Sequence, residues 1–506
     1  MVCGKSLLLW ALLTGPHCIN VDTSNSGAPS LVAPRATPYP SGNPPVLSEQ
    51  ARSARAEASS GDAEKELDER LELHGTKLSE KPLPLLRPDQ LPKPTPPIIE
   101  WNEKFLQPGN LKPGFTLPTG AVWQPALWVF GDYWATAGHA DNGKDPSREY
   151  LSNRLDLNFN LKLTPTERVV LSISPLSRGT DHTGLLHVDG QGTHFVDGIS
   201  PNVQALFFEG EFSALFPRLD PLDKKGYDIG FSAGRMPVLF QDGVMINAPV
   251  DGIAVTRDTL MAPGVTQDTR ITAVAGTDIR RSDNLYDPSA YVFGLFTETD
   301  LRPSTVNLDV GYVSSDSLRG GDQLNFGATA TQRLFGEINT AFRINTSTAL
   351  ENKGSAAGDG VLLLAEISRT VPGTDNVAYV NIFDAIGNYT SLARSPLVGG
   401  PLGRVGILFA SPVAGLAGSP ISNRAEDVAG GAVGYQMFFD NHKTQVVLEA
   451  GGRKDTNNVD QGIGGVAARW LHALDNRTSI QLDGWVTDGE NRRVGTGAAV
   501  EWRLRL

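Results

Sequence analysis

The stretch RLDLNFNLKL, residues 154–163, alternates polar and apolar side chains from its first residue to its last. A period of two places successive side chains on opposite faces of a β-strand, so the apolar residues share one face. The turn-forming residues 164–167 and a second apolar run from Arg168 follow directly. This pattern predicts an antiparallel hairpin of two strands.

The same alternation recurs along the chain after residue 119. Clear examples are residues 306–312, 433–439, 480–486 and 498–506. Turn-forming stretches separate these runs. Neither a long amphipathic helix nor an apolar run long enough for a transmembrane helix occurs among them. The sequence therefore predicts an all-β body over residues 119–506.

The composition excludes several classes of protein. The chain has 506 residues and a formal net charge of −12. No concentrated basic patch interrupts this acidic balance, so we expect no nucleic-acid partner, because a phosphate backbone would be repelled. The only two cysteines, Cys3 and Cys18, stand at the extreme N-terminus. The body therefore has no disulfide framework, thiolate metal site or cysteine nucleophile, and we expect no cofactor.

The N-terminal quarter differs from the body. Residues 1–18 carry Lys5 and then a short apolar run, which is typical of a secretory signal peptide; a buried helix is the alternative. Of the 34 prolines, 17 lie in the first 120 residues. Proline-rich, charged sequence cannot bury much apolar surface, so we predict that residues 19–118 form a largely disordered periplasmic segment. An envelope-binding segment is the alternative.

Two architectures fit the alternating body: a soluble β-protein and an antiparallel barrel in the outer membrane of a bacterial-type envelope. In such a barrel the apolar face meets lipid and the polar face lines a watery lumen. The secretory start and a final strand ending on Leu506 favour the barrel. Counting gives 18 or 19 candidate strands, including one that begins near residue 403. Single-chain bacterial barrels have even strand numbers, so we predict a transmembrane β-barrel of 18 strands, with 16 as the second choice and one false candidate near 385–430.

The tryptophans support closure of the barrel. Closure pairs the first and last strands, so tryptophans at both ends of the body would gather in one sector of the wall. There the indole ring can lie at the level of the lipid headgroups, whereas in a soluble protein it would pack in a core. The predicted interface aromatics are Trp123, Trp128, Trp134, Trp470, Trp485 and Trp502.

Three stretches carry a resemblance to a known family: FFEGEFSALF (207–216), YDIGFSAGRMPVLFQDGVMIN (227–247) and DGIAVTRD (251–258). A strand with acidic residues leads to a strand that ends in Gly234-Arg235. The turn Phe240-Gln241-Asp242-Gly243 follows, and the next strand opens with Asp251-Gly252. In these features the body resembles outer-membrane porins, most closely the alginate-export type of barrel. The resemblance implies a channel protein that the outer-membrane assembly machinery inserts.

Motifs for metal binding or catalysis are weak. Residues 181–198 hold His182, His187 and His194, and imidazole with carboxylate can bind a divalent metal. Their spacing fits neither one helix face nor one strand face, so we interpret the stretch as a polar loop and expect no metal. The chain has no nucleophile elbow, phosphate loop or zinc-protease motif. We therefore expect no enzyme.

The function would reside in the lumen. Charges of mixed sign suit passive diffusion of small hydrophilic solutes with modest selectivity, whereas charges paired along the wall would only stiffen it. The alternatives are a non-conducting barrel that sheaths or anchors a partner protein, and a soluble secreted β-protein. The predicted channel-lining residues are Arg154, Asp156, Asn158, Lys162, Arg235, Asp309, Asp483, Glu501, Arg503 and Arg505.

Overall fold

A computed structural model describes residues 95–105, 113–179, 181–189, 192–221, 226–351, 353–411, 418–457 and 462–506. Eighteen antiparallel strands form one closed barrel. In chain order they are β1 (Ala126–Asp141), β2 (Arg148–Lys162), β3 (Arg168–Ile173), β4 (Val203–Glu211), β5 (Ile229–Phe240), β6 (Ile246–Arg257), β7 (Asp268–Arg280), β8 (Tyr286–Asp300), β9 (Ser304–Ser314), β10 (Gln323–Leu334), β11 (Ile338–Ala349), β12 (Gly360–Thr370), β13 (Val377–Asn388), β14 (Glu426–Phe439), β15 (Thr444–Asp455), β16 (Ile463–Ala473), β17 (Thr478–Gly489) and β18 (Gly495–Arg505).

Pairing of β18 with β1 closes the barrel, with Arg503 opposite Trp134. Every other strand pairs with its neighbour in sequence. The prediction of an all-β, 18-stranded barrel is confirmed. The false candidate strand is the one near residue 403, which belongs to a connection between β13 and β14.

The two ends of the barrel differ. β1 begins and β18 ends at the same end, which we call the turn end because connections such as 163–167, 301–303 and 335–337 are short. The opposite, loop end carries the longer connections 174–202 and 389–425. In the first of these, strand Asp181–Asp189 pairs with β2 and extends the wall beyond the short strand β3.

The alternation that predicted the strands also separates their two faces. Large apolar side chains such as Ile253, Phe293, Leu308 and Val433 are exposed on the outside of the barrel. The residues between them point into the lumen. The structure differs from the prediction because many lumen-facing residues are also apolar, and they form two buried clusters inside the barrel.

The first cluster forms where the β5–β6 hairpin leaves the wall. Pairing of β5 with β4 ends at Arg235, and pairing of β6 with β7 ends at Asp251. Beyond these residues the hairpin pairs only with itself and with the short lumenal strand Ala393–Arg394. Residues 236–250 therefore turn into the lumen, and nearly all of them are buried or half-buried.

Glycines permit this bend. Gly234 and Gly252 are directly opposite each other in the β5–β6 hairpin. Gly234 has φ +123°, and a Cβ there would lie 2.3 Å from the carbonyl oxygen of Leu206. A Cβ on Gly252 would lie 2.1 Å from the carbonyl oxygen of Ala275. Only glycine allows the neighbouring backbones to approach so closely, which is a common role of glycine within sheets.

The second cluster forms where the described residues of connection 389–425, namely 389–411 and 418–425, fold into the lumen. Leu402, Leu408, Phe409 and Ile421 of this connection are fully buried. They belong to a cluster with the inner faces of β12–β17, and Phe409 meets Phe383 of β13 edge to face with ring centroids 5.5 Å apart. Strands covered on both faces become apolar on both faces, as in the run Leu362–Leu364.

The predicted N-terminal regions lie partly outside the described residues. The predicted signal peptide, 1–18, and the predicted disordered segment up to residue 94 lie there entirely. The structure differs from the predicted boundary at 118, because strand Ile99–Trp101 pairs with β1, and Phe115–Thr116 pairs with Val122–Trp123. Among the residues that the structure describes, no helix has the length and hydropathy needed to span a bilayer.

Candidate functional site

The inward hairpin and the described part of connection 389–425 touch each other and divide the lumen. We call residues 236–250, 389–411 and 418–425 together the partition. Arg394 donates 2.7 Å to the carbonyl oxygen of Gly243 at the hairpin tip. The Ser391 hydroxyl donates 2.7 Å to the carbonyl oxygen of Val244, and the Leu392 amide donates 2.9 Å to Met245. Burial lowers the pKa of Arg394 to about 10. Because these hydrogen bonds join the hairpin tip to the connection, the two segments behave as one body.

A cluster of four charged residues joins the partition to the wall. Asp242 at the hairpin tip and Glu366 of β12 both form ion pairs with Arg343 of β11. Arg404 of the connection binds both carboxylate oxygens of Glu366 at 3.1 Å and donates 2.9 Å to the carbonyl oxygen of Asp242. Such two-pronged guanidinium–carboxylate contacts are among the stronger polar interactions in proteins.

The charge cluster also fixes the ionisation of the hairpin tip. Desolvation inside the barrel opposes ionisation of Asp242, but the guanidinium groups of Arg404 and Arg343 lower the pKa of its carboxyl to about 2. The Asp242 carboxylate remains half-exposed in the lumen. It is therefore negatively charged at neutral pH, at the tip of the hairpin inside the barrel.

Neighbouring residues hold the hairpin tip against β8–β10. Gln241 donates 2.7 Å to Asp309 of β9 and accepts a hydrogen bond from Thr329 of β10. Phe240 stacks on Phe296 of β8, with ring centroids 3.6 Å apart and ring planes 2° from parallel. The hairpin tip thus reaches through the lumen to strands β8–β10, two to four positions along the wall from β6.

Below the partition, a cavity of about 940 Å³ lies toward the turn end. Its lining reaches from Arg168 and Thr166 near the β2–β3 turn to Asp242 and Arg404 at the partition. Six arginines and six carboxylate residues contribute to it, together with many hydroxyl and amide side chains. A space of this size and polarity can hold a hydrated small molecule.

Glu449 of β15 anchors the connection to the opposite wall. Its buried carboxylate accepts hydrogen bonds from the amides of Ile407 and Leu408, both at 2.9 Å, and from the Tyr379 hydroxyl at 2.5 Å. A buried carboxylate with its oxygens satisfied in this way holds the donor backbone in one place.

Most predicted lumen residues near the closing strands do face inward, and they pair with one another. Arg154 pairs with Asp156 at 2.8 Å, and Arg503 pairs with Asp132 at 2.8 Å. Both guanidinium groups lie 5.1 Å from the ring centre of the buried Trp134. The same inner face holds hydrogen bonds between Asn158 and Ser172 and between Glu501 and Thr136, and an ion pair between Asp483 and Arg469. This arrangement favours the interpretation that these charges stiffen the wall.

The other predicted lumen residues occupy three different places. Asp309 lies under the hairpin tip, as described above. Lys162 is at the turn end and pairs with Glu103, and Arg505 is exposed at the same end. Arg235 fastens the bend of the inward hairpin, because it binds Asp251 at 2.9 Å, Asp278 and the carbonyl oxygen of Val203.

The tryptophans divide between the two faces. Trp470 and Trp502 lie on the outer face, where Trp502 meets Tyr133 edge to face. Trp134 and Trp485 are buried on the inner face instead, and Trp128 faces inward at the turn end. Trp123 precedes the barrel and contacts Phe115.

The histidine-rich stretch forms a hairpin at the loop end. His182 is buried and shares a 2.8 Å hydrogen bond with the Ser177 hydroxyl. His187 and His194 occupy opposite positions in the two strands of the hairpin. Within the described residues, no group of three or more metal-ligating side chains is close enough to hold a metal ion.

Sequence reasoning did not find the partition or the cavity. Alternation says which face a residue occupies but not which connections fold inward. One sequence signal for the inward hairpin was available. The dipeptides Gly234-Arg235 and Asp251-Gly252 lie opposite each other at the bend of this hairpin. A second signal was the apolar stretch 405–410, which is too apolar for an exposed connection.

No protein-family model matches the sequence, and no curated protein matches it. Among solved structures, the barrel is similar to OccAB3 of Acinetobacter baumannii, with a TM-score of 0.50, 9% identity, and coverage of 75% of this chain and 99% of that one. The two proteins share the barrel fold. A BenF-like porin from Pseudomonas fluorescens Pf-5 gives a TM-score of 0.48 at 10% identity, over 75% of this chain and 99% of that one. Wzi of Escherichia coli gives 0.43 at 12% identity, over 74% of this chain and 84% of that one.

Proposed function

We propose that the protein is an outer-membrane channel through which small hydrophilic solutes diffuse passively. The observation that carries this proposal is the polar cavity of about 940 Å³ inside a closed barrel. The exposed apolar side chains on the outer face suit contact with lipid, and closure leaves no unpaired strand edge in the hydrocarbon. In this proposal the turn end faces the periplasm and the partition restricts passage from the loop end.

The charge cluster at the partition is the proposed selectivity site. Asp242, Arg343, Glu366 and Arg404 carry charges of both signs, so the site would discriminate modestly between ions and would favour solutes that bear several hydrogen-bonding groups. The resemblance of residues 207–258 to alginate-export barrels makes an anionic carbohydrate one candidate solute. It is supported by the arginines of the cavity lining, whose guanidinium groups match carboxylate geometry.

The partition itself favours a second candidate function. An inward hairpin and connection that are hydrogen-bonded to each other across the lumen would suit a barrel that is closed at rest and anchors or sheaths a partner protein. In either case we expect neither an enzyme nor a cofactor-dependent reaction.

Conductance of the full-length chain in a planar bilayer distinguishes the two functions. Stepwise openings of the unmodified protein support the open channel. Silence of the unmodified protein, together with openings when Glu449→Gln releases the connection, supports the closed barrel. Silence of both proteins, when each is shown to be folded and inserted, would contradict a channel altogether.

A further inference from the structure

The seam between the first and last strands is incomplete at the turn end. The last residue pair between β18 and β1 is Arg505 with Asp132, followed by two backbone hydrogen bonds, 2.8 and 3.3 Å long, between Leu506 and Gly131. The first residues of β1, 126–130, therefore extend beyond the end of β18. Unpaired backbone at this position would leave hydrogen-bonding groups without partners at the edge of the membrane.

The chain's own N-terminal segment fills this gap. Strand Ile99–Trp101 pairs antiparallel with β1, so that Ile99 is opposite Val129, Glu100 is opposite Trp128, and Trp101 is opposite Leu127. The segment adds to the edge of β1 that β18 leaves vacant. Arg477, in the turn before β17, donates 2.6 Å to the carbonyl oxygen of Pro96 and ties the segment to the last hairpin as well.

The segment then crosses the rim and holds the inner face of β1. Trp128 donates 2.8 Å from its indole N–H to the carbonyl oxygen of Glu103, and its ring meets Phe105 edge to face at 5.6 Å. The Glu103 carboxylate binds the Lys162 ammonium at 2.8 and 2.9 Å. This carboxylate is 9% exposed, so the contact is much less screened than a surface ion pair.

The outer side of the segment continues the apolar surface of the barrel. Ile99 and Trp101 share the outward face with Leu127, and they are 48% and 55% exposed. No described residue covers them. A tryptophan at the end of an apolar barrel surface suits the lipid–water interface, where its ring meets acyl chains and its N–H stays hydrated.

We propose that residues 95–105 form a clasp that completes the β1–β18 seam, and that Ile99 and Trp101 anchor this clasp in the interface of the lipid leaflet at the turn end. The clasp makes residues 95–105 part of the barrel and not part of the preceding proline-rich segment. Its lipid contact rests on the membrane location proposed above, whereas its pairing with β1 does not.

A cross-link in the full-length chain tests the pairing. In a Cys3→Ser/Cys18→Ser background, Trp101→Cys with Leu127→Cys should form a disulfide on mild oxidation, because opposite residues in a sheet bring their Cβ atoms within disulfide range. Trp101→Cys with Leu151→Cys, at the far end of β2, is the matched control and should stay reduced. The cross-linked barrel should also unfold at a higher temperature in SDS than its reduced form.

Failure of the first pair to cross-link in a folded barrel, or equal cross-linking of both pairs, would overturn the clasp. If that pair prevents folding, Ile99→Cys with Val129→Cys takes its place. Conductance is irrelevant to this result, so a clasped barrel without conductance would reject the channel and keep the clasp.

Fluorescence tests the lipid anchor. In the same background, an environment-sensitive fluorophore on Trp101→Cys should be quenched several-fold more strongly by brominated lipids in phosphatidylcholine vesicles than one on Glu100→Cys, which faces inward. Equal quenching of the two positions, or stronger quenching at position 100, would overturn the lipid anchor.

Discussion

Arg343 on β11 forms an ion pair with Asp242, the tip of the inward hairpin, which lies 101 residues earlier in the chain. The pair joins the β5–β6 hairpin to a distant part of the barrel wall through the lumen. Because Arg404 and Glu366 complete the cluster, the passage past the hairpin tip is bordered by two cations and two anions. Changes to this cluster should alter ion passage more than changes elsewhere on the surface.

Arg404→Glu should shift the channel toward cations. The substitution replaces one of the two positive charges of the charge cluster with a negative charge, and rings of negative charge favour cations. We expect the cation-to-anion permeability ratio to rise about twofold or more, measured from the reversal potential across a KCl gradient. Arg319→Glu, on the exposed loop-end segment Ser317–Arg319, is the matched control, and an equal shift there would argue against the cluster as the selectivity site.

The partition should resist moderate acid. The pKa of Asp242 falls from its ordinary value of 3.8 to about 2, so its ion pairs stabilise the folded partition fully above pH 3.8. That stabilisation is lost as the pH falls through about 2. Single-channel conductance and noise should therefore stay constant from pH 7 to pH 4 and change only near pH 2. Asp242→Asn should show at pH 7 the noise that the unmodified protein shows near pH 2.

Glu449→Gln should loosen the connection inside the lumen. A neutral amide accepts the Ile407 and Leu408 amide hydrogens less strongly than the carboxylate does, and its NH₂ group would face one of these donors. We expect larger and noisier single-channel currents with an unchanged barrel. Glu337→Gln removes a carboxylate that pairs with Arg369 at the turn end and serves as the control. Identical currents in all three proteins would show that the connection does not limit passage.

Arginine on the outer face should destabilise the barrel according to depth. Val500→Arg places a cation near the middle of β18 and should cost about 2–4 kcal/mol of unfolding free energy, whereas Leu504→Arg near the turn end should cost about 0–1 kcal/mol. Urea unfolding of the protein in lipid vesicles measures both. Val500→Ala controls for the lost side chain, and the reverse order of the two arginine variants would mean that the assigned faces or depths are wrong.

The folded barrel should migrate differently in SDS before and after boiling. Closure pairs every wall strand on both sides, so detergent finds no free edge at which to begin unfolding. We expect one band in unheated samples and a second, shifted band after boiling, with circular dichroism typical of β-structure before heating. Identical migration in both samples would contradict a closed barrel.

Strand number and strand faces could be predicted because they depend on local pattern. Arg154, Asp156 and Asn158 face the lumen as their alternation with Leu155 and Leu157 requires. A one-residue slip would reverse every side chain, so the pattern leaves little freedom. The candidate strand near residue 403, which is not a strand, lies within 385–430, the region where the sequence predicts one false candidate.

The inner architecture could not be predicted because it depends on contacts between distant segments. Asp242 looks like an ordinary turn residue until Arg343 and Arg404 are placed beside it. Trp134 and Trp485 are apolar enough for either face, and only the packed lumen decides that they point inward. Alternation assumes a lumen filled with water, and it fails where the lumen is filled with protein.

The hydrogen bonds between connection 389–425 and the inward hairpin have a mechanical consequence. Together the two segments connect opposite sides of the wall and hold them at a fixed distance from each other. The width of the passage that remains is then set by the partition and not by the circumference of the sheet. Evolution could therefore retune the aperture by substitutions in these two segments alone, while the strand count and the surface presented to the bilayer stay the same.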